Sequence, residues 1–243
     1  MKTTLIILIL IGTVAYPQVT EEWVRTYSGY LGGVPAASVI DDEGNIYITE
    51  SGAGSTPGTG SDYYTVKYNS DGILQWEAAY DGGVYNHDLG VAIAIDPLGD
   101  VYITGESKGI INGWDSGSDY LTIKYDSLGN QLWTQRYHGN NSFTTYNYDK
   151  PWAITVDGSG NVYVTGESVP DGATSGFGDC LTVKYSTTGD LLWTARYGTN
   201  QGGYGADIKV DADGNVYVFG MANGSQSYPE IITIKYNSAG EQQ

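Results

Sequence analysis

At 243 residues the chain can bury a sizeable core, as one domain or two small ones. Its formal charge of −17 repels phosphate backbones and argues against nucleic acid as a partner. The lone cysteine, Cys180, excludes an internal disulfide framework. Short β-rich runs separated by Gly, Asp, Asn and Ser clusters predict an all-β protein.

The first predicted element stands apart from the rest. Lys2 precedes the apolar run "TTLIILILIGTVA", and small residues then lead into Tyr16 and Pro17. This is a positive n-region, an apolar h-region and a cleavage site after Ala15, so residues 1–16 read as a secretory signal peptide. The apolar run is too short to span a bilayer comfortably. No further apolar segment predicts a transmembrane span in the mature chain. A secreted or cell-surface protein is expected, with 17–243 as one repeat domain.

From residue 23 the sequence repeats itself. "WVRTY" (23–27) comes first, and its Trp-x-x-x-Tyr pattern returns at Trp76/Tyr80, Trp133/Tyr137 and Trp193/Tyr197. "GNIY" (44–47), "GDVY" (99–102), "GNVY" (160–163) and "GNVY" (214–217) mark the same point in four units, and Lys-Tyr recurs at 67, 124, 184 and 235. In the third unit the strands are expected near 153–157, 161–166, 180–185 and 191–197, here called a, b, c and d. The a–b link, Asp157 to Asn161, and the c–d link "STTGD" combine glycine with a side chain able to bond turn amides, so both are tight hairpins. Apolar residues occupy both faces of "NVYVTG" and "LTVKY". Each sheet is therefore expected to pack against neighbours on both sides. Repeated four-stranded antiparallel units of about 55 residues predict a β-propeller of four blades.

The final unit has a, b and c, then ends at "KYNSAGEQQ" without its d-type tryptophan. Two readings stand. The N-terminal strand "WVRTY" pairs with "IITIKY" (231–236) and closes the ring, or the chain is the first part of a larger propeller. Closure is the favoured expectation, because it removes two open strand edges.

The text "D-x-x-G-N-V-Y-V-T-G", then "D-x-L-T-V-K-Y", then "G-x-x-x-W-x-x-x-Y" resembles the β-propeller repeat of secreted bacterial proteins, the SBBP repeat. The resemblance covers nearly all of 23–243. It implies a bacterial exported propeller, often part of a larger cell-surface protein, and it carries over no catalytic residues. That family's name refers to seven blades, from which the four units here depart.

Antiparallel order puts the a–b and c–d turns on one rim and the b–c and d–a loops on the other. The turns are nearly uniform between units, whereas the loops are individual, and binding residues favour loops on a rigid scaffold. The individual rim would carry Tyr85, His87, Asp88, Trp114, Asp115, His138, Asn141, Tyr146, Tyr148, Asp149 and Tyr204. Aromatic platforms with Asn and Asp beside them suit sugars. The expected function is a non-catalytic binding or scaffold module for a glycan or a protein. The alternatives are a hydrolase- or lyase-type enzyme with acidic groups at the central depression, where Asp88, Asp115 and Asp149 qualify by occurring once, and a structural fragment of a larger surface protein.

Other features read as structural. "DDEGN" (41–45) and "DADGN" (211–215) resemble pieces of a calcium loop but lack the further oxygen ligands, so they are expected to be turns and no cofactor is assigned. Asp62, Asp119 and Asp179 recur before strand c and suggest a bond made in every blade. His87 and His138 lack the further ligands of a zinc site. Cys180, Trp152 and the recurring Trp76, Trp133 and Trp193 are expected to be packing positions.

Overall fold

A computed structural model describes residues 21–26, 34–53, 60–83, 86–111, 114–139, 148–171, 173, 176–198, 202–223 and 229–243. The expected signal peptide lies outside the described residues. Among these residues the chain forms strands and no helix.

The strands fall into the four expected units. The first contains β1 (Val34–Ile40), β2 (Ile46–Ala53), β3 (Gly60–Tyr68) and β4 (Leu74–Tyr80). The second contains β5 (Asn86–Ile95), β6 (Val101–Ile111), β7 (Trp114–Tyr125) and β8 (Gln131–Tyr137). The third contains β9 (Asp149–Val156), β10 (Val162–Ser168), β11 (Asp179–Tyr185) and β12 (Leu191–Tyr197). The fourth contains β13 (Gly203–Val210), β14 (Val216–Asn223) and β15 (Pro229–Tyr236). Within each unit, sequential strands pair antiparallel. The sequence pattern did not show that β3 also meets β5 through a short parallel pairing at Gly60↔Asn86 and Ser61↔His87. Ser118 and Tyr148 make the matching bridge between the second and third units. The first strands of successive units lie side by side, so they form the inner layer of the arrangement.

One turn design closes the a–b and c–d hairpins. In the a–b turn of the third unit, Asp157 Oδ1 accepts the amides of Ser159 and Asn161, while Oδ2 accepts from Asn161 Nδ2 and the Tyr163 hydroxyl. Asp41, Asp96 and Asp211 do the same work with Tyr47, Tyr102 and Tyr217. Hydrogen bonds from Asn215 hold the Asp211 carboxyl below its ordinary range. These carboxylates are consumed by their own turns, and the calcium-like wording is turn chemistry. In the c–d turns Asn69, Asp126, Ser186 and Asn237 take the Asp position.

The units are joined by tryptophan. Trp76 Nε1 donates to Ser127 O at 3.1 Å, Trp133 Nε1 to Thr187 O at 3.0 Å, and Trp193 Nε1 to Ser238 O at 3.2 Å. Each indole from strand d lies on the c–d turn of the next unit. A Cβ on the turn glycine would come within 2.8 Å of Trp76 at Gly129, 3.0 Å of Trp133 at Gly189 and 2.7 Å of Trp193 at Gly240. Trp133 also meets Tyr102 of its own unit and Tyr185 of the next, each at 6.2 Å.

Period-two alternation then sorts the side chains of the middle units. Val101, Ile103, Leu121 and Ile123 face the first unit and share a core with Tyr47 and Tyr63. Tyr102 and Tyr120 face the third unit and share a core with Val162, Val164, Leu181 and Val183. A third core joins Tyr163 and Cys180 to Ile208, Val216 and Val218 of the fourth. Burial pushes the Cys180 thiol up to about 11, as fits its packing role. The outer faces of the end units are exposed at Val34, Ile40 and Ile231.

The expected closure, with the N-terminal strand pairing on β15, is not found among the described residues. Residues 21–26 make no strand, and none of them pairs with β15 among the described residues. Instead Trp23 Nε1 donates to Ser70 O at 3.1 Å and its ring lies on Gly72.

Replacing Gly129 by alanine forces a side chain into a left-handed backbone (φ 87°) and into the Trp76 ring together. The expected cost is about 1–2 kcal/mol from the backbone and about 1–3 kcal/mol from overpacking. Urea unfolding midpoints of Gly129→Ala and Gly158→Ala check this. Gly158 has open space around its Cβ position, so that variant should stay within about 0.5 kcal/mol of the parent.

Candidate active site

The d–a and b–c rim carries two three-residue clusters across neighbouring units. Asp119 at the start of the buried part of β7, His138 just after β8 and Asp149 at the start of β9 place one ligand atom each within 4.8 Å of one another. Asp62, Asp81 and Asp88 occupy the corresponding positions one unit earlier. At the next seam the same positions hold Asp179, Gly198 and Gly203, and a Cβ on Gly198 would lie 2.1 Å from Asp179 Oδ1.

A fixed frame supports each cluster. Arg136 Nη1 donates to Asp119 Oδ2 at 2.9 Å and to Ser107 O at 2.7 Å, and its Nη2 donates to Ser107 Oγ at 2.7 Å. The Ser107 hydroxyl in turn donates to Asp88, whose other oxygen accepts the Gly82 amide at 2.8 Å. Arg196 repeats this on Ser168, at 2.6 Å to the carbonyl and 2.7 Å to the hydroxyl, beside Asp149. Its distance to Asp179 is 3.7 Å. For Asp119 and Asp179 the partner is thus a strand-d arginine of the same unit, whereas β4 of the first unit carries no arginine for Asp62.

Asp119 does more than hold an arginine. Its Oδ1 lies 2.7 Å from His138 Nδ1. An ionised carboxylate only accepts, so Nδ1 carries the proton and Nε2 is the nitrogen left to take or give one. Asp149 is buried, and its Oδ2 accepts the Gly139 amide at 2.7 Å. Burial, reinforced by the charge of Asp119, pushes its carboxyl up to about 6 against the hydrogen bonds that favour ionisation. Burial likewise raises Asp88. Both Asp119 oxygens are engaged, one by Arg136 and one by His138, so the cluster balances its charge internally. The three groups are also spaced closely enough for a cation to bridge.

The predicted site residues divide. His138 and Asp149 come together, and Asp88 sits in the sister cluster. His87 is exposed, with Nδ1 3.5 Å from Ser61 Oγ. The Tyr148 hydroxyl lies 2.9 Å from Glu167 Oε1 and 2.6 Å from Gly176 O, and burial with the Glu167 bond raises it to about 12. The Tyr204 hydroxyl meets Met221 Sδ at 3.1 Å. Trp114 and Asp115 pair through their backbones with Ile111 and Ile110. Tyr85, Asn141 and Tyr146 lie outside the described residues.

Two readings need correction. Asp119 was expected to be structural alone, yet it also orients His138. A comparison of the residue five places after each strand-d tryptophan, Asp81, His138 and Gly198, carries the signal that this position diverges. Trp152 was expected in the core, but it is 48% exposed. The pairing of β9 with β10 slips between Ala153↔Thr165 and Pro151↔Gly166, which leaves Trp152 in a bulge. Bulges re-aim side chains. Gly166 permits the slip, since a Cβ there would meet Lys150 O at 2.1 Å. The exposed part of the ring leaves on the order of 100 Å² in water, roughly 2–3 kcal/mol of burial unrealised.

A recess of about 830 Å³ opens on the opposite rim among the a–b turns, lined by Asp41, Asp96 and Asp157. Those carboxylates are already committed to their turns.

No curated protein sequence matches the chain. Among solved structures it is similar to a protein of unknown function from Dyadobacter fermentans, at 10% identity and TM-score 0.54, covering 86% of this chain and 67% of that one. It is similar to polysaccharide lyase Uly1, at 11% identity and TM-score 0.52, covering 86% of this chain and 48% of that one. It is also similar to a gluconolactonase from Xanthomonas campestris, at 13% identity and TM-score 0.41, covering 81% of this chain and 57% of that one. The chain thus spans about half the length of the lyase and the lactonase. The likeness shows the fold. The expectation of a non-catalytic binding module is corrected here: the similar structure of named activity with a TM-score above 0.5 is a polysaccharide lyase. The SBBP beta-propeller repeat model matches residues 133–168, the stretch that holds His138 and Asp149. The chain thus carries a match to the SBBP β-propeller repeat over 133–168, consistent with a β-propeller repeat protein.

Proposed function

We propose that the chain is a polysaccharide-cleaving propeller of the lyase type, with His138 as the proton-transferring group. The observation that carries this is the His138–Asp119–Asp149 cluster, where a histidine is oriented by one buried carboxylate and stands beside a second of raised pKa. The likeness to a polysaccharide lyase supports the choice of reaction.

Spacing decides between the two enzyme readings. A glycosidase sets two carboxyls on opposite sides of the scissile bond, about 5–5.5 Å apart when retaining and about 6.5–9.5 Å when inverting. Here Asp119 and Asp149 lie within 4.8 Å, on the same histidine, and both are buried. One oriented base suits β-elimination. His138 Nε2 takes the proton from the carbon beside a uronate carboxylate, the neighbouring C–O bond breaks as a C=C bond forms, and the leaving oxygen gains a proton. Asp119 holds the ring and offsets the imidazolium charge. Arg136 and Arg196, each with a side chain 26% exposed, border the cluster as partners for an acidic sugar.

The finer architecture and location belong to the same proposal. Trp23 takes the place of a strand-d tryptophan in a unit that precedes β1, since its contact with Ser70 and Gly72 repeats the contact made at the other seams. Residues 1–16 direct export, and the site works outside the cytoplasm, where polysaccharide substrates are found. Among the described residues no helix is long and apolar enough to cross a membrane.

Incubation with polygalacturonate, alginate and chondroitin, followed by ultraviolet absorbance of unsaturated products, tests the reaction. His138→Ala should lower the rate about 10²–10⁴-fold. Reducing ends appearing without that absorbance would mean hydrolysis and overturn the elimination.

Asp149 adds a pH signature to folding. A carboxyl raised from 3.8 to about 6 contributes its stability in full below pH 4 and loses it as pH rises through 6. Asp149→Asn should match the parent near pH 4 and exceed it above pH 6, by at most roughly 3 kcal/mol. Urea midpoints across this range check the sign.

A further inference from the structure

We propose that Trp152 and Tyr204 form a platform that seats a sugar ring beside the His138 cluster. The inference rests on the lyase reading for its substrate class but not for its geometry.

Three observations converge. The first is the bulge in the inner strands. The pairing slip that frees Trp152 occurs in each unit, at Ala36, Val91 and Ala206 in β1, β5 and β13. The scaffold accepts Ala or Val there, so folding does not demand an indole. The bulge sets one side chain per unit outside the strand pairing, and the third unit alone places a large aromatic at it. The second is exposure. An aromatic at 48% exposure on the inner layer of strands is poorly placed for stability and well placed for contact. The third is the Tyr204 ring, which comes from the next inner strand and lies 6.0 Å from the Trp152 ring at 42°. The contact holds the indole in one orientation. Tyr204 is itself fixed through its hydroxyl to Met221.

The chemistry of the occupant follows. Two tilted rings present C–H-accepting π faces, which match the apolar face of a pyranose or furanose. Trp152 stands three residues from Asp149 on the same strand, about 10 Å along the backbone. That is on the scale of a saccharide unit or two. Lys150, between them in the strand, keeps its ammonium 5.1 Å over the Tyr148 ring and adds a positive charge to this stretch of β9. An acidic chain therefore seats one ring on the platform while a neighbouring unit reaches His138. Trp152 is a binding and positioning residue in this arrangement.

The test separates binding from turnover. Affinity for polygalacturonate oligosaccharides is measured by calorimetry in the His138→Ala background, with Trp152 kept or changed to Phe or Ala. Trp152→Ala should weaken binding tenfold or more, and Trp152→Phe should recover much of it. The same Trp152→Ala change in the active protein should raise KM far more than it lowers kcat. Binding unaffected by Trp152→Ala, with turnover intact, would overturn the platform and leave the lyase reading standing. Trp152-dependent binding without any turnover would support the platform and remove the lyase reading. Absence of binding to this acidic chain and to neutral arabinan and cello-oligosaccharides would overturn the platform.

Discussion

The arrangement depends on one contact made again at every seam: an indole lying on a glycine turn of the next sheet. It combines three requirements in one place. The turn needs a positive φ, the indole needs a flat surface without a Cβ, and its N–H needs the turn carbonyl two residues before the glycine. Trp76, Trp133 and Trp193 meet all three. The contact also fixes rotation between units, because a hydrogen bond of about 3 Å and a face-on ring leave little freedom. Each core then assembles from a tyrosine-bearing face of one unit and an aliphatic face of the next.

A scaffold set this firmly can vary elsewhere. The rim of turns is nearly the same in every unit because its side chains are spent on their own backbone, as with Asp157 and Tyr163. The other rim keeps a common frame, Arg136 on Ser107 and Arg196 on Ser168, and changes what the frame surrounds. At one seam there are three aspartates, at the next a histidine between two aspartates, and at the third two glycines facing a single aspartate. A change at a few positions in one copy thus alters which groups meet at a seam while the frame stays the same.

Much of the fold could be read from periodic text, since turns, strands and tryptophan positions obey local rules that recur. Asp149 and His138 stood out because they lie in loops that differ between copies. Their meeting with Asp119 was not legible, because Asp119 looks the same in each repeat and its partner comes from the neighbouring unit. Trp152 was misread for a related reason. Alternation along β9 places it inward, and only the slip opposite Gly166 turns it out. A bulge depends on two strands at once, and neither strand alone announces it. The short parallel bridge between β3 and β5 is likewise a property of two units in place.

The third seam shows what folding alone requires there. Among the described residues, the half-buried Asp179 with Arg196 and two glycines joins the third and fourth units, and the positions of His138 and Asp149 are glycines. Against that standard, His138 and Asp149 are additions. Asp149 is an expensive one, since its carboxyl is desolvated beside another negative group and sits well above its ordinary range. Its amide and hydroxyl neighbours lower the cost without removing it. A group that the neighbouring seam dispenses with, and that weakens the fold at neutral pH, is best accounted for by what it does for the histidine next to it. The same reasoning applies to Trp152, whose counterparts are alanine and valine. Asp149 shares its place with Asp88 of the preceding unit, whereas Trp152 has no aromatic counterpart; each runs against stability, and both lie on the same inner strand.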